Sequence, residues 1–349
     1  MNKIAYTNVH NKFKLNGYHL DKDDLCRVAY SFIKEGKDFE KPVGDFILDW
    51  FDSKHYLEIK TSGTTGEPKI IKVQKQAMVN SALATGDFFE LQPGNTILNC
   101  LPVKYIAGKM MFVRAFILGL EMDFVAPSSN PMKRNKNNYD FVAMVPLQAE
   151  NSIAQLNQIK KLIVGGAKVN DTLEKKLAKS KCTVFETYSM TETVTHIAAK
   201  KIGQKAFTVF PNITISQDDR NCLVISAPDL DVENIATNDI VELVARNQFI
   251  WLGRQDNVIN SGGIKLIPEQ IEAKLSEKLT SRFFVAGIPD EKLGEKLLLF
   301  IEGAPFELDA SIFDSLDKYE KPKEIKFIPH FAETETGKIK RNEVVSSLL

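Results

Sequence analysis

Between Tyr56 and Cys182 short apolar stretches alternate with helical patterns, and this alternation restricts the fold more than any other feature of the chain. The pairs of a strand-like and a helix-like stretch are Thr96–Leu101 with Met110–Leu120, Phe141–Val145 with Leu147–Leu156, and Lys161–Val164 with Asn170–Lys179. Such a pattern predicts parallel βαβ units with helices on both faces of a sheet. Ligands are then expected at the carboxyl ends of the strands.

The pattern changes after Phe207. From Phe207 to Trp251 short strands are separated by turn residues and no helix of length is present, which predicts an antiparallel sheet or a small barrel. After Gly253 the chain has the pattern of a compact α+β unit of roughly 95 residues, with a helix that starts at Pro268. We therefore predict an α/β protein with two domains, residues 1–253 and 254–349, the first with parallel αβα layers plus a small barrel-like sheet.

Composition excludes several classes of protein. The chain has 349 residues, of which 44% are hydrophobic, and this is enough for two domains with sizeable cores. Ordinary numbers of Gly (19) and Pro (14) exclude collagen-like and disordered chains, and four scattered Cys residues exclude a disulfide scaffold and indicate reduced thiols. Because Lys+Arg 45 balance Asp+Glu 45, no global field favours nucleic acid or an anionic bilayer. A small-molecule partner is expected instead.

No stretch of the sequence is predicted to span a membrane. The most apolar long stretch, Met110–Ala126, is interrupted by Arg114 and by two acidic residues, so it falls short of the roughly 20 residues required. Residues Met1–Lys14 lack the apolar centre of a secretory signal. We therefore expect a cytoplasmic protein, and the sequence leaves open whether it forms a homo-oligomer.

The segment Thr61–Lys69 is the most informative for chemistry. It reads Thr-Ser-Gly-Thr-Thr-Gly-Glu-Pro-Lys, which provides hydroxyl donors, open backbone N–H groups and one cation around a polyphosphate. It is not a Walker A loop, because Pro68 precedes the lysine and the β-prone stretch Ile70–Val73 follows where a helix would be needed. The loop is therefore predicted to connect strands. Composition alone also fits a flexible surface turn.

In the order of its residues this loop resembles the phosphate loop of the adenylate-forming acyl-CoA synthetases, the ANL superfamily that also includes luciferase and the nonribosomal adenylation domains. Further blocks follow in that family's order, namely Tyr188–Thr193, Thr237–Asp239, Gly253–Gly263 and Thr334–Arg341. The resemblance implies a ligase that forms an acyl-adenylate from an acid and Mg·ATP and then transfers the acyl group to CoA. ATP, Mg²⁺ and the co-substrate CoA are therefore expected, as is a small, mobile C-terminal domain.

The resemblance also implies roles for single residues. Thr191 would contact the α-phosphate, and Glu192 would hold Mg²⁺, since a carboxylate beside phosphates suits a hard cation. Lys338 would stabilise charge on the acid and the α-phosphate, and Asp256 would be the hinge between the domains. Three blocks depart from the pattern, because Ser189 and Asn238 stand where the family has glycine and Phe331-Ala332 stands where a Pro-Arg pair precedes the last block. The residues implied to bind ATP are Thr61, Ser62, Gly63, Thr64, Thr65, Gly66, Lys69, Gly166, Ala167, Tyr188, Asp239 and Arg254.

The stretch Leu101–Gly119 resembles the LPLxHxxGxxxxxRxxxxG pattern of the o-succinylbenzoate-CoA ligases of menaquinone biosynthesis. Its Arg114 lies on an otherwise apolar helix and needs an anionic partner if it is buried, which a substrate with a second carboxylate would supply. The predicted substrate-binding residues are Gly108, Arg114 and His196. The resemblance also implies that the N-terminal region of this chain is shorter than that of the usual family member by roughly a hundred residues.

Other interpretations remain open at this point. Arg114 could be an internally paired arginine, His196 a core histidine, and Lys338 part of a solvated basic tail. The nucleotide motifs are shared by other aryl-CoA and acyl-CoA ligases and by adenylation enzymes that load a carrier protein. From a different class, a non-catalytic nucleotide-binding protein would keep the phosphate loop but is expected to lack Glu192 or Lys338.

Overall fold

The computed structural model describes residues 4–60, 70–333 and 339–347. By its internal contacts the chain divides into two compact units. Unit 1 comprises Met1–Ile215, Ile225–Ile235 and Arg246–Gln248, and unit 2 comprises Ser216–Val224, Ala236–Ala245 and Phe249–Leu349. The predicted domain boundary between residues 253 and 254 stays a prediction.

Unit 1 contains helices and strands in the predicted alternation. Its helices are α1 (Lys22–Glu35), α2 (Lys41–Phe51), α3 (Lys75–Phe89), α4 (Ile106–Leu118), α5 (Pro146–Asn151) and α6 (Asp171–Ala178). Its strands are β1 (Lys14–Leu15), β2 (Tyr18–His19), β3 (Tyr56–Lys60), β4 (Ile70–Gln74), β5 (Thr96–Asn99), β6 (Glu121–Phe124), β7 (Tyr139–Met144), β8 (Ile159–Val164), β9 (Thr183–Ser189), β10 (His196–Lys201) and β11 (Phe207–Val209).

The sheet of unit 1 has the order β2-β1-β6-β5-β7-β8-β9-β10-β11. Strands β6, β5, β7, β8 and β9 pair in parallel, whereas β10 pairs antiparallel with both β9 and β11. Helices α4, α5 and α6 follow β5, β7 and β8 along the chain, so the predicted βαβ units and the α/β class are confirmed. The carboxyl ends of β7, β8 and β9 therefore lie at one edge.

Both faces of this sheet are covered by helices, as the fully buried strands require. Val142 and Leu162 belong to the same buried cluster as Leu173 of α6. On the opposite face, the ring of Phe141 lies 5.4 Å from that of Phe89 on α3. The sheet is thus the middle of three layers.

Two predicted helices differ in extent. Helix α4 begins four residues before Met110, and it ends before Gly119, which adopts φ 70° and caps the helix in the left-handed region. The predicted helix Leu147–Leu156 is the short α5 followed by a 3-10 turn over Ile153–Gln158. The periodicity of the apolar residues continues through this turn, and so it did not indicate the break.

The stretch from residue 207 to 251 contains strands and no long helix, as predicted, and its longest helical piece is the three-residue 3-10 turn Pro228–Leu230. The prediction that all its strands are short is wrong for Val232–Ala245, which is one strand of 14 residues. Its strands after β11 are β12 (Thr214–Gln217), β13 (Cys222–Ala227), β14 (Val232–Ala245) and β15 (Gln248–Arg254), which are hydrogen-bonded side by side in this order. The division by contacts assigns parts of these strands to each unit.

The C-terminal part of unit 2 is an α+β fold, as predicted. In strand β19 (Gly294–Glu302), Leu297 and Leu299 share a buried cluster with Leu275 of helix α7 (Pro268–Ser276), whereas Phe300 packs in the cluster of Val344 from helix α8 (Arg341–Ser346). This alternation places one helix on each face of the strands. The elements are β16 (Ile259–Ser261), β17 (Ile264–Leu266), α7 (Pro268–Ser276), β18 (Phe283–Asp290), β19 (Gly294–Glu302), β20 (Glu324–Ile328) and α8 (Arg341–Ser346).

None of the helices within residues 4–60, 70–333 and 339–347 combines the length and the apolar character that crossing a membrane requires.

Candidate functional site

The predicted phosphate loop lies outside the described residues, but the strands that flank it do not. Strands β3 and β4 pair antiparallel, from Tyr56 opposite Gln74 to Lys60 opposite Ile70. The segment 61–69 therefore connects two paired strands, as predicted. The predicted ATP-binding residues Thr61, Ser62, Gly63, Thr64, Thr65, Gly66 and Lys69, and the predicted catalytic Lys338, all lie outside the described residues and stay predictions.

Strands β8 and β9 bring the predicted adenine-side residues to one edge of the sheet. Gly166 and Ala167 follow the end of β8, and Tyr188 lies at the end of its parallel neighbour β9. Gly166 has φ +85°, a conformation that favours glycine. A Cβ atom on Gly165 would lie 2.4 Å from the Thr187 hydroxyl oxygen, so the backbone after β8 approaches β9 closely here. The turn after β8 and Tyr188 therefore lie on neighbouring strands at the same edge.

The block after β9 contains a strained turn. Thr191–Thr193 form a 3-10 turn in which the Glu192 side chain is exposed. The side chain of Thr191 is not among those that the structure describes. The next residue, Val194, has φ 68°, and the N–H of Thr195 donates to the Thr193 carbonyl at 2.7 Å. A hydrogen bond between residues two apart around a positive φ defines a classic γ-turn, which is strained for a β-branched residue. This turn connects Glu192 to the start of β10.

Arg114 and His196, both predicted to bind the acid, lie next to each other in unit 1. Arg114 on α4 is only 2% exposed, and its Nη2 donates to His196 Nε2 at 3.2 Å. Its Nη1 contacts the Met111 sulfur at 3.5 Å, and its Nε has no hydrogen-bond partner among the described residues. Burial lowers the pKa of Arg114 to about 9, and no described carboxylate raises it. The structure thus holds a buried guanidinium without a described counter-ion.

His196 is a neutral acceptor for this guanidinium. Burial and the charge of Arg114 hold its pKa well below the usual range of histidine. Because arginine can only donate, Nε2 must accept, and the ring proton is assigned to Nδ1. The hydroxyl of Thr85, 3.0 Å from Nε2, then donates to the Ser81 carbonyl at 2.8 Å. His196 and Ser81 also line a cavity of about 340 Å³ in unit 1, together with Phe210.

Gly108 has a packing reason to be glycine. A Cβ atom at this position would lie 2.4 Å from the carbonyl oxygen of Pro102. The Asn99 side chain donates to the Gly108 carbonyl at 3.1 Å, which fixes the first turn of α4. A role for Gly108 in substrate binding stays a prediction.

Unit 2 brings together the residues predicted to bind ribose and to form the hinge. Arg254 lies 3.6 Å from Asp239, and it donates to Asp256 at 2.6 Å. The Trp251 indole N–H donates to Asp239 at 3.0 Å and orients its carboxylate. The pair that the resemblance implies for ribose therefore forms an ion pair, and Asp256, the predicted hinge residue, binds the same arginine.

The described residues are compatible with a phosphate-bound metal ion. Within the described ranges, no group of three or more His, Cys, Asp or Glu side chains could hold a metal. Mg²⁺ bound to a nucleotide commonly takes one or two carboxylates and several phosphate oxygens or waters, and the exposed Glu192 offers one such carboxylate. The roles of Thr191 and Glu192 stay predictions.

Sequence reasoning missed two polar residues, Thr85 beside His196 in unit 1 and Glu269 beside Gly253 in unit 2. Thr85 lies within a helix and carries no motif. Glu269 directly follows Pro268 and has the pattern of an ordinary acidic residue in a first helical turn, yet it is buried, and its Oε2 has no described partner. Gly253 lies against this oxygen, since a Cβ atom there would be 2.4 Å from it. No local signal in the sequence could have shown either contact.

Residues 56–220 of the chain match the family of AMP-binding enzymes. The crystal structure of an acyl-CoA synthetase (AMP-forming)/AMP-acid ligase II-like protein from Dyadobacter fermentans is 36% identical in sequence with a TM-score of 0.62, and the match covers 93% of this chain and 98% of that one.

Two further relatives carry more specific names. A protein of Mycobacterium tuberculosis named "Probable 2-succinylbenzoate--CoA ligase" is 26% identical over 335 residues, which are 86% of each chain. The o-succinylbenzoate coenzyme A synthetase of Bacillus subtilis, solved in complex with ATP and a magnesium ion, is 17% identical with a TM-score of 0.73 over 93% of this chain and 82% of that one. At this identity the second comparison shows a shared fold.

Proposed function

This chain belongs to the AMP-binding enzymes, the family of AMP-forming acyl-CoA ligases, and from that premise we propose that it converts o-succinylbenzoate to its CoA thioester. In the first step, a carboxylate oxygen of the acid attacks the α-phosphorus of ATP, and pyrophosphate leaves. In the second, the CoA thiol attacks the acyl carbon, AMP leaves, and the thiol proton passes to solvent. This would place the enzyme in menaquinone biosynthesis and in the cytoplasm, where ATP and CoA are available.

One observation supports the choice of acid above all others, the buried guanidinium of Arg114. A charge in this position is costly unless an anion accompanies it, and no described carboxylate lies beside it. o-Succinylbenzoate has two carboxylates, so that one can be activated while the other remains an anion. The neutral His196 keeps a second positive charge out of the site and offers its Nδ1–H as a donor. Acids with one carboxylate would leave Arg114 without an anionic partner.

The nucleotide residues follow the family pattern in this proposal. Glu192 would hold Mg²⁺, which offsets the negative charge of the phosphates, and Thr191 would contact the α-phosphate. Asp239 and Arg254 would bind the ribose hydroxyls. The remaining ATP contacts would come from the segment 61–69, and Lys338 would stabilise charge on the acid.

The two steps need different surroundings for the acyl group, since Lys338 acts in the first and CoA must approach in the second. We propose that the C-terminal domain rotates about Asp256 between the steps. An engineered disulfide that locks this junction should stop one half-reaction and leave the other. If both half-reactions survive the lock, the rotation is excluded.

The function is tested by following pyrophosphate release from Mg·ATP with four acids, o-succinylbenzoate, benzoate, a fatty acid and an amino acid, each with and without CoA. We expect turnover of o-succinylbenzoate to the thioester and little turnover of the others. Arg114→Met should lose this selectivity. Arg134→Met, which removes a charge from an exposed arginine of the same unit, is the matched control and should retain it.

The alternative functions give distinct results in this assay. Turnover of another acid would keep the ligase and exclude the o-succinylbenzoate assignment. Adenylate formation without transfer to CoA would indicate an enzyme that loads a carrier protein. Binding of ATP without pyrophosphate release for any acid would favour a non-catalytic nucleotide-binding protein.

A further inference from the structure

The carboxylate of Asp256 is held by two side chains that precede it in the chain, all within unit 2. Arg254 Nη2 donates to its Oδ2 at 2.6 Å, and Asn238 Nδ2 donates to its Oδ1 at 3.0 Å. Asn238 in turn accepts from Arg220 Nη1 at 3.1 Å, and Arg220 forms an ion pair with Asp218 at 2.7 Å. A continuous chain of polar contacts therefore runs from the β12–β13 turn to the hinge residue.

The orientation of the Asn238 amide in this chain is defined by its neighbours. Arg220 can only donate, so it must face the amide oxygen, and the Asp256 carboxylate accepts, so it must face the amide nitrogen. Arg220 also donates to the carbonyl of Thr237 at 3.2 Å, which anchors the backbone beside the asparagine. Asn238 therefore connects a fixed turn to the hinge carboxylate.

Glycine, which the family pattern has at position 238, could make neither of these side-chain bonds. We propose that Asn238 is a positioning residue that latches Asp256 and so sets how readily the hinge of this enzyme moves. Rotation about Asp256 would have to break the bond from Asn238 Nδ2. Because Arg254 contacts both Asp256 and Asp239, the state of the latch would also reach the proposed ribose pair.

The expected effect is moderate, because the Asp256 carboxylate is about half exposed. An exposed hydrogen bond to a charged group shifts an equilibrium by about two- to fivefold. The inference rests on the proposed function for its consequence in catalysis. Its structural part, the restraint on the junction, can be measured without any substrate.

Two substitutions separate the latch from ordinary packing. Asn238→Ala removes both bonds, whereas Asn238→Asp keeps an acceptor for Arg220 and places a second carboxylate against Asp256. A merely structural role through Arg220 would be preserved in Asn238→Asp. A latch would be lost in both, and more completely in Asn238→Asp because the two carboxylates repel each other.

The test is hydrogen–deuterium exchange of the full chain, read at the junction, where the amide of Val258 donates to the Gln255 carbonyl at 3.3 Å. We expect exchange at the junction to be about two- to fivefold faster in Asn238→Ala than in the unmodified chain, and at least as fast in Asn238→Asp as in Asn238→Ala. Exchange in β18 and β19 should be the same as in the unmodified chain. In parallel, the ratio of the two half-reaction rates, pyrophosphate release and acyl transfer from preformed adenylate, should change by a similar factor.

Unchanged exchange at the junction in either variant would overturn the latch, as would an equal acceleration in β18 and β19, which would indicate general destabilisation. An unchanged ratio of half-reactions in an active enzyme would also overturn it. If the unmodified protein released no pyrophosphate with any acid, the proposed function would fail, while the exchange result would still decide whether Asn238 restrains the junction.

Discussion

Replacing Arg114 with methionine should make this protein more stable and less active. Methionine has a similar length and fills the site on α4 with apolar atoms. The substitution removes the guanidinium and leaves His196 Nε2 without its hydrogen-bond donor. The imidazole ring can then take the other tautomer and donate from Nε2 to Thr85 Oγ1, which lies 3.0 Å away. No buried polar atom is then newly unpaired at this position.

The magnitude follows from burial. Burial lowers the pKa of Arg114 to about 9 in the fold, roughly three and a half pH units below the ordinary value of arginine. At about 1.4 kcal/mol per pH unit, the charged form is disfavoured on folding by roughly 5 kcal/mol. Because the folded pKa is the lower one, this destabilisation is fully present at pH 7 and decreases as the pH rises through 9. Allowing for the lost hydrogen bond, we expect Arg114→Met to raise the free energy of unfolding at pH 7 by about 1–4 kcal/mol.

Activity should change in the opposite direction. Losing one partner of a buried, hydrogen-bonded charge pair typically costs about 2–5 kcal/mol, so kcat/KM for o-succinylbenzoate should fall by about 30- to 5000-fold. Arg114→Lys keeps the charge but not the forked geometry of the guanidinium. Its kcat/KM for o-succinylbenzoate should lie between the values of the unmodified protein and of Arg114→Met. Turnover of an acid with one carboxylate should not decrease.

The stability of unit 1 can be measured separately, because the chain has two tryptophans and only Trp50 lies in this unit. In a Trp251→Phe background, urea unfolding followed by Trp50 fluorescence compares Arg114→Met with the parent at pH 7 and at pH 10. If Arg114→Met lowers the free energy of unfolding by more than about 2 kcal/mol, the inference that Arg114 is a destabilising charge without a counter-ion is refuted. Unchanged selectivity for o-succinylbenzoate would refute the role of the charge in recognition.

Three further predictions concern single features of the fold. At Val194, with φ 68°, Val194→Gly should be more stable than Val194→Ala by about 1 kcal/mol, the reverse of the usual order, because alanine keeps the strain of a positive φ; the usual order in urea unfolding would exclude the γ-turn. Gly253→Ala should lower the melting temperature, since the new Cβ would overlap Glu269 Oε2, at a cost of about 1–3 kcal/mol, and an unchanged melting temperature would contradict this contact. Burial raises the pKa of Cys100 and of Cys182 to about 12, so both should resist iodoacetamide at pH 8 until the protein unfolds, and mass spectrometry showing rapid labelling of the native chain would disprove their burial.

Local patterns in the sequence were sufficient for the fold class. Strand and helix periods, together with the glycine and proline positions, act over a few residues, and so they indicated the parallel units of unit 1 and the helix that starts at Pro268. Pro68 before Lys69 and the β-prone stretch Ile70–Val73 were enough to predict that the segment 61–69 connects strands. Helix ends were predicted less well, because the end of α4 depends on how Gly119 is capped and the break after Asn151 on a single turn.

The chemical state of the site residues was decided by tertiary structure alone. The order of the motifs identified Arg114 and His196 as candidates, but they are 82 residues apart, and only the fold shows that they share a hydrogen bond and that Arg114 is buried without a described counter-ion. Asn238 was visible in the sequence as a departure from a pattern, and its bond to Asp256 was not. The physical reason is that burial and pairing depend on which distant segments the chain brings together, whereas residue order records only the local preferences of each segment.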